Sequence, residues 1–349
     1  MAKNKYLKPC CAATMMAAVP YRDMQHAADV ILENFPEAPC LPIMTRGIRW
    51  MLEGIPCVVI DREKRRVYLD ASPEREDEII DFYDRYEQGD LESFATTPDT
   101  APFFHSMLAR IKAADLPRLK WVIFHSSGPV LLGDTLKQPD GTPSIHHETL
   151  RDILIKGINM KTRWLENKIK TELPGVEVIA DLPETTLVNF TSSGGTGTRE
   201  DIISAINEGF QGVEGPTWIH CCANIDWSLL TDTEVDVINF DAYQHAENVA
   251  LYSKEIKAFL ERGGMIGWGI VPVMESLLLK ESLPSLLERL EKGIAQFVQR
   301  GIDEEMLVTS SWILPSCETV LITPDQSDQV FQWTRALSEA MKEKYGFTA

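Results

Sequence analysis

The strongest constraint on the fold is the repeated exchange of two patterns along the chain. Short apolar runs rich in β-branched and aromatic residues read as strands: AATMMAAV (12–19), IPCVVI (55–60), KWVIFH (120–125), VEVIAD (176–181), GPTWIH (215–220), VDVINF (235–240), GMIGWGI (264–270) and MLVTSSWIL (306–314). Between them lie stretches with apolar residues at helical spacing, at 24–35, 150–169, 199–210, 246–263, 283–301 and 327–346. Strands alternating with helices predict an α/β fold, a single (β/α)8 TIM barrel, with an open doubly wound sheet as the alternative. The alternation fills the 349 residues and leaves no second domain, so 1–349 is expected to be one barrel. The region 61–118 is longer than one crossover needs. It reads as an insertion after the second strand, with a strand or hairpin at 61–70 and an acidic surface helix at 72–86.

Charge narrows the partners. Against 34 Lys+Arg stand 52 Asp+Glu, a formal net charge of −18. Nucleic acid and anionic membrane both need clustered positive charge, so neither is expected to bind. The N-terminal segment reads as a strand opening the fold rather than as a signal peptide, and a cytoplasmic protein is expected. Seven scattered cysteines do not suggest a disulfide framework. Metal or nucleophile chemistry therefore gains ground for some of them.

The stretch IHCCANIDW (219–227) sets two adjacent cysteines beside a histidine. If TWIH is a strand, alternate residues share a face, so His220 and Cys222 point one way and Cys221 the other. A His-x-Cys pair at a strand end can present an imidazole and a thiolate to one zinc; alone it fits a packed pair equally well. The sixth strand delivers Asp241 at its C-terminal end, and the eighth delivers Cys317 just beyond Pro315. In a barrel these ends share one rim. Two thiolates, an imidazole and a carboxylate form a borderline-soft donor set suited to Zn²⁺.

Several stretches, in order and across most of the chain, give this pattern a family likeness. They are HSSGPV (125–130), Asp181-Leu182-Pro183, His220-Cys221-Cys222, DVINFD (236–241), GGMIGWGIVP (263–272) and PSC (315–317). The chain resembles the C-terminal catalytic barrel of cobalamin-independent methionine synthase, in the superfamily that also holds uroporphyrinogen decarboxylase. The resemblance implies zinc ligands at His220, Cys222, Asp241 and Cys317. It places Asp241 where the family has glutamate, and it implies that Asp181 pairs with the amino group of an amino-acid thiol. Ala17-Ala18 stand where the family has the Gly-Ser that helps hold homocysteine, which makes Ala18 a substrate-side position. A single barrel is closer to the short "core" enzymes and to corrinoid-dependent methyltransferases. It implies a small-molecule thiol as acceptor and a methylated corrinoid as donor, carried on a partner corrinoid protein.

Other residues complete the expectations. His125 ends the third strand and reads as a buried, hydrogen-bonded histidine or as a substrate contact or proton shuttle. Asn224 and Asp226 follow the metal dyad and would either orient His220 or cap the next helix. Trp268, between two glycines, is expected to line the mouth or to pack within the barrel. Arg46 and Arg49 read as surface or substrate-carboxylate arginines. TSSGGTGTRE (191–200) reads as a lid over the rim, since no Gly-Lys-Ser/Thr follows it. Two further readings stay open: decarboxylation of a cyclic tetrapyrrole, which needs no metal, and a scaffolding or corrinoid-binding barrel whose metal is structural.

Overall fold

The computed structural model describes residues 5–44, 48–191 and 197–347; Arg46 and positions 192–196 of the glycine-rich segment lie outside the described residues. Among the described residues nine strands occur, in the order β1 (Ala12–Ala13), β2 (Val58–Asp61), β3 (Arg66–Leu69), β4 (Trp121–His125), β5 (Glu177–Asp181), β6 (Thr217–Cys221), β7 (Val237–Phe240), β8 (Met265–Val271) and β9 (Ser311–Pro315). Seven of them form one parallel sheet, ordered β1-β9-β8-β7-β6-β5-β4. β4, β6, β8 and β9 are buried along their whole length. That is the reason they read as continuous apolar runs rather than alternating ones. Helices connect them, among them Glu148–Glu172, Arg199–Gly209, Leu283–Gln299 and Pro324–Tyr345. The last three start at capping boxes on Thr198, Ser282 and Thr323.

Two strand expectations are corrected. The run 55–60 is not in the main sheet: Val58–Asp61 pairs antiparallel with Arg66–Leu69 in a separate two-stranded sheet. Instead, residues 39–43 touch both edges of the main sheet. Cys40 is bridged to Ile123 of β4, and Ile43 to Ala18, downstream of β1. Two backbone bonds of 2.8 Å, Leu41 N–H to the Ile123 carbonyl and Ile43 N–H to the Ala17 carbonyl, support these contacts. The run PCLPI carries two prolines, which disfavour a strand, so the β-branched VVI draws the assignment away from it. The second correction is local: residues 306–309 belong to the helix Glu304–Thr309, and β9 begins only at Ser311.

Inside the curl of the sheet Trp121, Trp218 and Trp312 pack together, with ring centroids 4.9 Å and 5.6 Å apart. Trp218 lies two residues before His220 on the same face of β6, so this aromatic cluster is the floor beneath whatever the strand ends hold. No helix among the described residues is long and apolar enough to cross a membrane.

Candidate metal centre

Three side chains converge at the C-terminal ends of the strands. His220 is the penultimate residue of β6, Cys222 follows that strand directly, and Cys317 lies two residues beyond β9. One donor atom from each lies within 4.8 Å of the other two. His220 is buried, and the two cysteines are half-buried. Its Nδ1–H donates to Asn239 Oδ1. Nε2 lies 3.6 Å from Cys317 Sγ. The cluster polarises itself. A hydrogen bond from Cys317 and then contacts with His220 hold the Cys222 thiol down to about 4 against the burial that would raise it. The same contact with Cys222, together with burial, drives the Cys317 thiol up. Burial alone would lower His220, but the hydrogen bond and charge of Cys222 raise it. Cys221 lies behind the site: fully buried, its thiol is pushed up to about 12 by burial and faces the Ala223 carbonyl.

Asn239 was not anticipated from sequence. In the β6–β7 register it sits directly opposite His220. Its amide donates to the Gly267 carbonyl at 3.0 Å, so its oxygen is turned towards the imidazole. Gly267 makes the space: a Cβ there would lie 2.7 Å from Asn239 Cβ. The only signal in sequence was one amide in the apolar run DVINF.

The remaining expected residues separate into those near the cluster and those apart from it. His125 Nδ1 donates to Asp181 Oδ2 at 2.8 Å, and its Nε2 is 3.7 Å from Glu318 Oε1. Burial works against the charged imidazole, yet Asp181 and then Glu318 raise it. Asp181 Oδ1 is buried and has no hydrogen-bond partner among the described residues. Asp241 is outside the three-residue cluster. Its carboxylate caps the helix Ala242–Val249 by accepting from Gln244 N–H, and also accepts from Gln244 Nε2. Ala18 is part-buried beside Ile43. Two residues follow the packing and capping readings, and a third follows neither of its two. Trp268 is fully buried against Phe240 and Phe297 and donates to Ser311 Oγ, so it packs the sheet against the helix Leu283–Gln299 and lines no mouth. Asp226 starts the turn Ser228–Thr231 and pairs with Arg199. Asn224 is exposed, and it is Asn239 that orients His220.

Glu184 is a second unanticipated residue. Fully buried, it accepts from the Val130 and Leu131 N–H groups at 2.9 Å and 2.6 Å, while its own N–H donates to the His220 carbonyl. Burial pushes its carboxyl up to about 8 against those two bonds. Gly128 lets the carboxyl approach, since a Cβ there would meet it at 2.3 Å. Removing the carboxyl strands one buried and one part-buried donor, each worth about 1–3 kcal/mol. Glu184→Ala is therefore expected to lower unfolding free energy by about 2–4 kcal/mol in a urea titration. A change under about 0.5 kcal/mol would show that water replaces the carboxyl freely.

Cys222, Asp241 and Cys317 open onto a cavity of about 1500 Å³. Its lining also includes residues of the 19–26 segment, Met274 and Leu321. The donor chemistry fits zinc: two thiols and an imidazole, with space beside them for a fourth ligand.

No protein-family model matches the chain, and no curated protein matches it. Among solved structures, a B12-independent methionine synthase from Shewanella sp. W3-18-1, in complex with selenomethionine, superposes over 98% of this chain and 100% of its own, with TM-score 0.59 and 10% identity. A GH113 β-mannanase from Alicyclobacillus acidocaldarius covers 98% of this chain and 99% of its own at 10% identity, but its TM-score of 0.42 carries no argument. At that identity the Shewanella match is a likeness of fold: the chain has an α/β fold whose curled parallel sheet is TIM-barrel-like, and the three-residue cluster stands at the strand ends of that sheet.

Proposed function

We propose that the protein is a zinc-dependent methyltransferase that activates a thiol and methylates it from a methylated corrinoid, with homocysteine as acceptor and methionine as product. The observation that carries this reading is the meeting of His220, Cys222 and Cys317 at the cavity. The fold likeness to a methionine synthase supports it. In this reading the barrel is complete, with residues 39–43 as its eighth strand, 61–118 as an insertion, and 1–349 as one catalytic unit.

His220, Cys222 and Cys317 would hold the zinc, with Asp241 close enough to the cavity to serve as an alternative oxygen ligand. Bound there, zinc supplies the Lewis acidity that keeps an acceptor thiol deprotonated at neutral pH. Asn239 holds His220 in the tautomer that offers Nε2. Asp181 fixes His125 and keeps a second oxygen for the ammonium of an amino-acid thiol. His125 Nε2 is the group placed to receive the thiol proton. A methylated corrinoid, when bound, would supply a methyl group to that thiolate and keep the cobalt–carbon bonding pair as cobalt(I). Met274 and Leu321 line the cavity yet are 54% and 83% exposed, the kind of apolar rim that a macrocycle or its carrier protein would cover.

The test is methyl transfer to homocysteine, coenzyme M and simple thiols from free methylcobalamin, a methylated corrinoid protein and methyltetrahydrofolate. Methionine should form from a corrinoid donor, and homocysteine should be preferred. Turnover from the folate alone would overturn the donor; no turnover from any pair would overturn the activity.

A further inference from the structure

Among the described residues the cavity wall carries one charge that has no counterpart. Its charged side chains among the described residues are Arg22, Asp23, His26, Asp241, Glu275 and Glu318. Every carboxylate is already engaged. Asp23 accepts from the Gln25 and His26 N–H groups and caps the helix Met24–Asn34. Asp241 accepts twice from Gln244. Glu275 accepts from Gln326 Nε2 at 2.8 Å, and Glu318 faces His125 Nε2. His26 packs edge-on against the Tyr21 ring. Arg22 alone has no hydrogen bond, ion pair or ring contact to any described residue, although the chain offers 52 Asp and Glu side chains. It is also the single arginine or lysine among the described residues of the wall.

A guanidinium is five donors in a rigid fork that matches a carboxylate in two bonds. Left unpaired in the wall of a reaction cavity, in a protein of formal charge −18, it marks where an anionic group of a ligand can rest and offsets the repulsion that group would otherwise meet. We infer that Arg22 determines acceptor specificity: the thiol substrate carries a carboxylate, which Arg22 grips across the cavity while the sulfur reaches the His220–Cys222–Cys317 cluster. This rests on the thiol-activating role proposed above.

The experiment is calorimetric titration of the zinc-loaded wild type, Arg22→Gln and Arg22→Lys with 3-mercaptopropionate and 2-mercaptoethanol, and separately with succinate. One charge-assisted bidentate contact predicts that the wild type binds the anionic thiol roughly tenfold or more tighter than the neutral one. Arg22→Gln should bring that ratio close to one with 2-mercaptoethanol unchanged, and Arg22→Lys should keep part of it. Exposed and unpaired, Arg22 can be replaced without affecting folding, so the melting temperature should hold. An unchanged ratio in Arg22→Gln overturns the inference and leaves the thiol reading intact. If no thiol binds, the thiol reading fails and succinate decides: binding to wild type that Arg22→Gln abolishes keeps an anion site at Arg22, and its absence removes it.

Discussion

Cys317→Ser is expected to empty the metal centre. The wild type should carry about one zinc ion per chain, and the purified variant well under a tenth of that. The loss is large because the cluster has three protein donors, and Asp241 stands outside it with its carboxylate engaged by Gln244. A serine hydroxyl stays protonated near pH 7, so it replaces a thiolate with a weak neutral ligand. Binding of structural zinc releases roughly 10–16 kcal/mol shared among four ligands. Loss of one ligand therefore removes about 3 kcal/mol, a factor of roughly 100 in affinity. Cys222→Ser should lose as much, since Cys222 is the thiol that His220 and Cys317 hold in its anionic form. Cys221→Ser is the control. Its sulfur faces the Ala223 carbonyl in the packed layer behind the site, so its zinc content should remain near that of the wild type. Metal analysis after gel filtration, and competition with a chromophoric chelator, read both quantities. Stoichiometric zinc in both Cys222→Ser and Cys317→Ser would leave the centre without its ligands and the proposed activity without its activator.

The separation of Cys222 from Cys221 was legible because it needs only strand periodicity, which is short-range and survives small errors in strand ends. The sheet was legible for a similar reason: β4 to β9, apart from the first residue of β5, are buried on both faces, and such burial demands continuous apolar runs. What escaped depends on which residues lie opposite each other across the sheet. Asn239 matters because the register sets it against His220, and nothing in DVINF states that register. Glu184 matters because a turn brings Val130 and Leu131 within reach of its carboxyl. Trp268 looked like a mouth residue because glycines flank it. Those glycines serve their neighbours instead: Gly267 gives room to Asn239, and Gly269 lies against the Phe240 carbonyl. Residues 39–43 escaped because edge contact tolerates prolines that a central strand would not.

Gly267→Ala tests whether that hidden register governs the metal centre. The added methyl has no empty space to enter: it would lie 2.7 Å from Asn239 Cβ and 2.8 Å from Asn239 Nδ2. Asn239 cannot simply swing aside, because one end of its amide is bonded to the Gly267 carbonyl and the other to His220 Nδ1. The clash should therefore pass to the imidazole and turn Nε2 away from Cys222 and Cys317. Loss of such an outer partner typically weakens metal binding roughly 10–100-fold. Overpacking costs about 1–3 kcal/mol of stability as well, so an affinity loss alone could be read as general damage. A double-mutant cycle separates the two. Asn239→Gly removes the hydrogen bond and also the Cβ that the methyl would strike, and so makes room for it. If Gly267 acts through Asn239, the double variant should bind zinc as weakly as Asn239→Gly alone and no more weakly, although each single change costs tenfold or more. Asn239→Asp retains the acceptor and should keep most of the affinity. Losses that simply multiply in the double variant would show that Gly267 serves strand packing, and that His220 takes its orientation from the cysteines.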